Sequence, residues 1–248
     1  MGVNASNIDM DSAVEHVAGW IDRGESRYAC VMDMHSLMCA RKFKSHMSAL
    51  NDADMVTPDG MPIVWAARLR GVKNMSRVSG PDLLPAICER SVKEGWRHYF
   101  HGGAAGVPTT LAERLCQRYP GLNVVGAEAP PYRLTVDYAD PDEVDLINAA
   151  KPDIVWIALG CPKQEQWMVH YVGKIENAVL IGIGAAFDFH SGRMRRAPLW
   201  MQRYGLEWFH RLISEPTRLW RRYLILAPKF LVLTVVEILR ERLRRISR

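Results

Sequence analysis

Apolar residues fall along this 248-residue chain in two rhythms. Residues 154–159 and 179–184 are continuous apolar runs without alternation, the pattern of strands buried on both faces of a parallel sheet. Shorter runs at 28–34, 54–57, 97–101 and 122–126 predict further strands. Between them apolar residues recur three or four apart. Val14, Val17 and Ile21 mark a helix over 11–23, and others are predicted from the first strand through Leu50 and over 62–69, 80–94, 109–118 and 141–151. This alternation predicts an α/β fold with a right-handed, doubly wound, mostly parallel sheet. Such sheets bind ligands beyond the carboxyl ends of their strands, so the residues just past each run are the first candidates for chemistry.

Run 154–159 breaks at Gly160, and Pro162 suits the first turn of a helix because its missing N–H is not needed there. Lys163, Gln164 and Glu165 then stand at a helix N-terminus above the strand end. Asp59, in Pro58-Asp59-Gly60, and Asp188, after the run 179–184, fall on the same edge. By itself Asp59 is an ordinary turn residue. At a strand end near helix N-termini, a carboxylate is placed to act as general base towards a hydroxyl. Gly102, Gly103 and Gly106 follow another strand and open a helix, a context in which backbone N–H groups bind phosphate. They supply an alternative, an NAD(P)-dependent oxidoreductase with Glu128 on the ribose, although the spacing is Gly-Gly-x-x-Gly rather than Gly-x-Gly-x-x-Gly.

After residue 198 the pattern changes. Residues 199–213 are helical and aromatic-rich, Pro216 interrupts, and 218–248 form a basic helical stretch containing Pro228. This divides the chain into a core over 1–197 and an appendage over 198–248. The net charge of +5 hides the same division: residues 193–248 hold 14 Lys/Arg against 4 Glu, which leaves the rest negative. A basic block with apolar residues at 224–239 suits a peripheral, amphipathic attachment to an anionic membrane. Pro228, Lys229 and Glu237 interrupt the apolar run, so no membrane span is predicted. The alternative is a helical hairpin packed on the core or on another subunit of a homo-oligomer. No RNA-binding signature or helix-turn-helix pattern accompanies the charge, so nucleic acid is not the expected partner. The N-terminus lacks a basic and apolar export signal, which predicts a cytoplasmic chain. The five cysteines are scattered and odd in number, so neither a zinc site nor a disulfide framework is indicated.

No Asp-x-Asp follows a strand, and no His/Asp cluster has metal-ligand spacing. A nucleotide-diphosphate leaving group would therefore need protein cations. Arg211, Arg218, Arg221 and Arg222 can supply them, being roughly on one face if the helix were continuous through Pro216.

Several motifs now resemble a known family. Thr57-Pro58-Asp59-Gly60-Met61-Pro62, Arg-Val-Ser-Gly-Pro-Asp-Leu at 77–83, Leu-Gly-Cys-Pro-Lys-Gln-Glu at 159–165, Gly-Ile-Gly-Ala-Ala-Phe-Asp-Phe at 182–189, Arg-Arg-Ala-Pro at 195–198 and Gly-Leu-Glu-Trp-Phe-His-Arg-Leu at 205–212 look like the WecG/TagA/CpsF glycosyltransferases. The resemblance spans about residues 8–223, with the motifs in family order. It implies a Rossmann-like core with a C-terminal helical appendage. The implied activity is inverting, metal-independent and cofactor-free transfer from a UDP-sugar to a polyprenyl-diphosphate-linked glycan, in bacterial surface polysaccharide or exopolysaccharide synthesis. That places the enzyme on the inner face of the cytoplasmic membrane. Carried over by position, the resemblance makes Asp59 the base and Arg77 the motif arginine. Gln164 is then the loop glutamine, and Arg211, Arg218 and Arg221 are the diphosphate ligands. The family often has Thr-x-Asn at the end of the first strand, whereas this chain has Val31-Met32-Asp33, followed by His35. The sugar is left open among glucose, N-acetylmannosamine and its uronic acid.

Overall fold

The computed structural model describes residues 1–136 and 138–246. The chain runs α1 (Met10–Asp22), β1 (Arg27–Met32), α2 (Met34–Lys42), α3 (Lys44–Asn51), β2 (Met55–Pro58), α4 (Met61–Leu69), α5 (Gly80–Glu94), β3 (Arg97–Gly102), α6 (Val107–Arg118) and β4 (Asn123–Glu128). It continues through α7 (Pro141–Ala150), β5 (Ile154–Ala158), α8 (Lys163–Tyr171), β6 (Val179–Gly182) and α9 (Ala186–His190). The six strands form one parallel sheet in the order β2-β1-β6-β5-β3-β4.

Alternate strand residues serve opposite faces, as the two-residue period of a strand requires. Ala29, Val31, Ile154, Trp156, Val179 and Ile181 join one buried cluster with α1, α5, α6 and α9. Tyr28, Cys30, Met32, Val155, Ile157 and Leu180 join a second, with residues of α2, α3, α4, α7 and α8. Both faces are covered, which is why the strands read as unbroken apolar runs.

Two predicted helices are divided. The helix expected after β1 is split into α2 and α3 at Phe43, which is extended at φ −118 and ψ 113. The helix expected over 199–213 becomes α10 (Leu199–Arg203) and α11 (Glu207–Ser214). Gly205, between them, has φ +70, a left-handed conformation that ends the first and that side chains rarely adopt.

The chain then forms α12 (Pro216–Trp220), a π-helical turn (Arg221–Leu226) and α13 (Ala227–Ile246). The wide turn lies immediately before Pro228, where a missing N–H and the ring disrupt the ordinary helical ladder. Phe230 of α13 is 1% exposed in the second cluster. Burial of such a side chain contributes about 1.5–3 kcal/mol. Glu237 accepts from the Met1 amine at 2.6 Å and pairs with Arg41 at 2.8 Å and Arg70 at 3.4 Å. These contacts hold α13 against α2, α4 and the N-terminus.

Candidate active site

A cavity of about 790 Å³ opens at the carboxyl edge of the sheet. Asp33, Asp59, Gln164 and Asp188 line it from the strand ends, and Arg77 from the segment before α5. Glu207, Trp208, Arg211, Arg218, Arg222, Tyr223 and Phe230 line it from the C-terminal helices.

Asp59 follows β2, and its backbone N–H donates to Met32 O at 2.8 Å, which holds the turn against β1. Gly60, at φ +123, then swings the chain into α4 with a backbone that a side chain would strain. The carboxyl group is recessed in the cavity floor. Burial, and then the nearby Asp33 charge, push its pKa up to about 7 against the opposing pull of Arg77 and Arg222. Asp59 is thus poised to change protonation near neutral pH.

Asp33 caps α2 by accepting from Ser36 N at 2.8 Å through Oδ1, while Oδ2 accepts from Arg222. Burial raises its pKa, but Arg222 and the Ser36 N–H outweigh burial and hold the carboxylate below its usual range. Asp33, where the family often has another residue, is therefore the partner of a cavity arginine.

Arg77 donates to Asp82 Oδ2 at 2.8 Å and Glu207 Oε2 at 3.2 Å. Arg196 forks onto both Asp82 oxygens at 2.6 and 2.9 Å and reaches Glu207 Oε1 at 3.0 Å. Two cations and two carboxylates thus join the start of α5 to α11. The motifs at 195–198 and 205–212 contain Arg196 and Glu207, but their spacing does not announce the contacts of Arg196 with Asp82 and of Arg77 with Glu207, which span more than a hundred residues.

Arg211 lies over the Phe189 ring at 5.6 Å, and its buried Nε has no partner. Arg218 pairs with Glu215 at 2.6 Å and is 60% exposed. Arg221, expected among the diphosphate ligands, lies outside the cavity lining and sits over Trp220 at 5.3 Å. Arg222 faces the cavity instead. Ordinary helical spacing from Arg218 already brings position 222 nearer that residue's face than position 221, and Asp33 holds Arg222 there.

Gln164 stands in the first turn of α8, 5% exposed, with Nε2 donating to Glu165 Oε1 at 3.1 Å and Oε1 unpartnered. It packs against the end of β6: a Cβ on Gly182 would meet Gln164 Nε2 at 3.3 Å. Burial pushes Glu165 up to about 7. Asp188, early in α9, is 3.5 Å from Arg193.

Folding also gathers side chains that are far apart in sequence. His35 Nε2 is 3.7 Å from Cys39 Sγ, and Cys161 Sγ is 3.5 Å from His46 Nε2. His35, Cys39 and Cys161 form one group able to hold a metal ion, and His46, Cys161 and Glu165 another. Scattered cysteine spacing gives no sign of either.

The glycine cluster is differently employed. Gly103 N already donates to Ala158 O at 2.8 Å and Val107 N to Ala104 O at 2.9 Å, while Pro108 has no N–H. A Cβ on Gly102 would meet the Ala158 backbone at 2.7 Å, so this glycine permits close strand packing. Glu128 accepts from Tyr99 OH at 3.0 Å. Two of the donors and the acid that the nicotinamide alternative requires are thus engaged within the protein.

The profile of the glycosyl transferase WecG/TagA/CpsF family matches residues 1–245, further in both directions than the motifs suggest. An N-acetylglucosaminyldiphosphoundecaprenol N-acetyl-beta-D-mannosaminyltransferase of Bacillus spizizenii is 31% identical over 224 residues, 90% of this chain and 84% of that one. The protein of the same name from Bacillus subtilis is 30% identical over 238 residues, 93% of this chain and 88% of its own. With the match extending through the C-terminal helices, and the motif residues at 59, 77, 164, 188 and 211 around one cavity, the chain belongs to the WecG/TagA/CpsF family of glycosyltransferases.

Proposed function

We propose that the protein transfers a sugar from a UDP-sugar to a polyprenyl-diphosphate-linked glycan in one displacement that inverts the anomeric centre. The observation that carries this reading is a recessed carboxyl group, Asp59, with its pKa raised to about 7, in the same cavity as Arg211, Arg218 and Arg222. Ionised Asp59 takes the proton of the acceptor hydroxyl as its oxygen bonds to the anomeric carbon. The bond to UDP breaks on the opposite side, and the guanidinium groups stabilise the charge that develops on the diphosphate. Arg222 is the most constrained of the three, since Asp33 holds it. Gln164 offers an unpartnered carboxamide oxygen to a sugar hydroxyl. Arg77 acts mainly by fixing α11 through Glu207. No magnesium or manganese ion is needed in this scheme, because protein cations neutralise the leaving group.

The names of the two Bacillus relatives support a lipid-diphosphate acceptor that ends in N-acetylglucosamine, and N-acetylmannosamine as the first donor sugar to test. The exposed face of α13 supports delivery to that acceptor. Leu231, Val232, Val235, Leu239 and Leu243 are each more than half exposed, beside Arg240, Arg242 and Arg244. No described helix is long and apolar enough to cross a membrane. The helix instead lies on an anionic leaflet, the inner face of the cytoplasmic membrane, with its apolar side inserted.

The test is a panel of UDP-sugars offered with a polyprenyl-diphosphate-N-acetylglucosamine acceptor, without magnesium or manganese and with a chelator present. Transfer with inverted configuration is expected. Retained configuration, a strict magnesium or manganese requirement, or no transfer from any UDP-sugar would overturn the reading.

A further inference from the structure

His35 and Cys39 are four residues apart on α2 and so share one face of that helix. Cys161 meets them from the turn between β5 and α8. The ligand atoms of the three lie within 4.8 Å of one another, with His35 Nε2 3.7 Å from Cys39 Sγ. Tetrahedral zinc, with bonds of about 2.3 Å to sulfur and about 2.0–2.1 Å to nitrogen, places such atoms about 3.6 Å apart. The His35–Cys39 spacing matches that of zinc ligands, and the Cys161 sulfur lies within 4.8 Å of both.

The surroundings match. His46 is fully buried, with Nε2 3.5 Å from Cys161 Sγ and 3.0 Å from Ser36 Oγ. Its Nδ1 has no hydrogen-bond partner and lies 3.9 Å from Glu165 Oε2, which also has none. Buried polar groups are rarely left so, and a ring nitrogen within reach of a metal-bound sulfur, as His46 Nε2 is of Cys161 Sγ, is the kind of outer contact that orients a ligand. His35 and Cys161 both line the cavity, so a fourth position opens towards it.

We propose that His35, Cys39 and Cys161 bind one thiophilic divalent ion, zinc by its ligand chemistry, with the fourth position facing the cavity. The ion ties α2, which carries Asp33 at its cap, to the turn that carries Gln164. It takes no part in the displacement, and the site stands or falls independently of the sugar-transfer reading. On binding, zinc forms bonds to the imidazole nitrogen and both sulfurs; the two S–H bonds break and their protons leave to solvent.

The test uses the full-length chain, reduced and stripped with a chelator, then titrated with Zn²⁺ in competition with a chromophoric chelator. One equivalent should bind, with proton release, and Co²⁺ in its place should give thiolate-to-cobalt charge-transfer absorption. Cys39→Ser and Cys161→Ser should each weaken binding by at least about tenfold. Cys88→Ser and Cys116→Ser should leave it unchanged. A second measurement needs no variant: Zn²⁺ should protect Cys39 and Cys161 of the wild-type chain from alkylation while the exposed Cys116 still reacts. Uptake below one equivalent, a cobalt spectrum without the thiolate band, or equal alkylation with and without Zn²⁺ would overturn the proposal. So would a Cys39–Cys161 disulfide that re-forms in place of zinc uptake.

Discussion

The sheet and the C-terminal helices meet at one cavity but handle apolar residues in opposite ways. In β5, Ile154, Val155, Trp156 and Ile157 are all fully buried, whereas α13 buries Phe230, Thr234 and Ile238 and leaves five large apolar residues more than half exposed. A strand covered on both faces fixes the position of the residues just beyond its end, so the sheet supplies the groups that must be placed accurately: Asp59, Asp33 and Gln164. The helices supply charge and an unpartnered apolar face. They attach through Phe230, Glu237, the Arg222–Asp33 pair and the contacts of Glu207 with Arg77 and Arg196. The difference teaches that, on the proposed mechanism, proton transfer and diphosphate binding would come from separate parts of the chain and could be damaged separately.

The largest effect should come from a change at the sheet edge. Asp59→Asn is expected to lower kcat by roughly 10² to 10⁴, the usual contribution of a positioned acid–base group, while UDP still binds. Steady-state rates and calorimetric titration with UDP check the two halves; loss of both together would mean that sheet and helices do not divide the work.

A change in the helices should do the reverse at smaller size. Arg218→Ala would remove the proposed charge-assisted contact to the diphosphate, and a loss of about 1.5–3 kcal/mol corresponds to roughly 10- to 150-fold weaker UDP binding. Arg221→Ala, which changes a side chain outside the cavity, should weaken it less. Equal losses measured by calorimetry would place the diphosphate elsewhere on the helices.

The smallest effect concerns the apolar face. Truncating α13 would also remove Phe230 from the core, so paired Val232→Glu and Val235→Glu substitutions are the cleaner change. They should reduce co-flotation with anionic vesicles by about tenfold and leave transfer to a short, soluble acceptor analogue intact. If vesicle binding is unchanged but the sedimentation mass falls, the face belongs to a second copy of the chain.

Legibility in the sequence divides along the same line. Unbroken apolar runs mark the strands because both faces are covered, and the residues just past each run lead to Asp59, Gln164 and Asp188 on one edge. The C-terminal helices are harder to read. Spacing offers Arg221 and Arg222 together and the family resemblance selects Arg221, whereas Arg222 lines the cavity and pairs with Asp33, 189 positions away. Gly205 divides a helix that aromatic spacing makes continuous. Cys39 and Cys161 stand 122 positions apart and meet only because the ends of β1 and β5 lie on the same edge. Contacts of that range are set by strand order, which the apolar pattern does not encode.

The central claim is that Asp59 accepts the acceptor's proton, and its pH dependence tests this most directly. A raised pKa means that the carboxyl group is protonated, and idle as a base, below about 7 and ionised above it. The acid limb of kcat/KM for the wild-type enzyme should therefore fall with unit slope below about 7 and be absent from the residual activity of Asp59→Asn. An acid limb of the same midpoint in both proteins would assign the proton acceptor to another group and contradict the account.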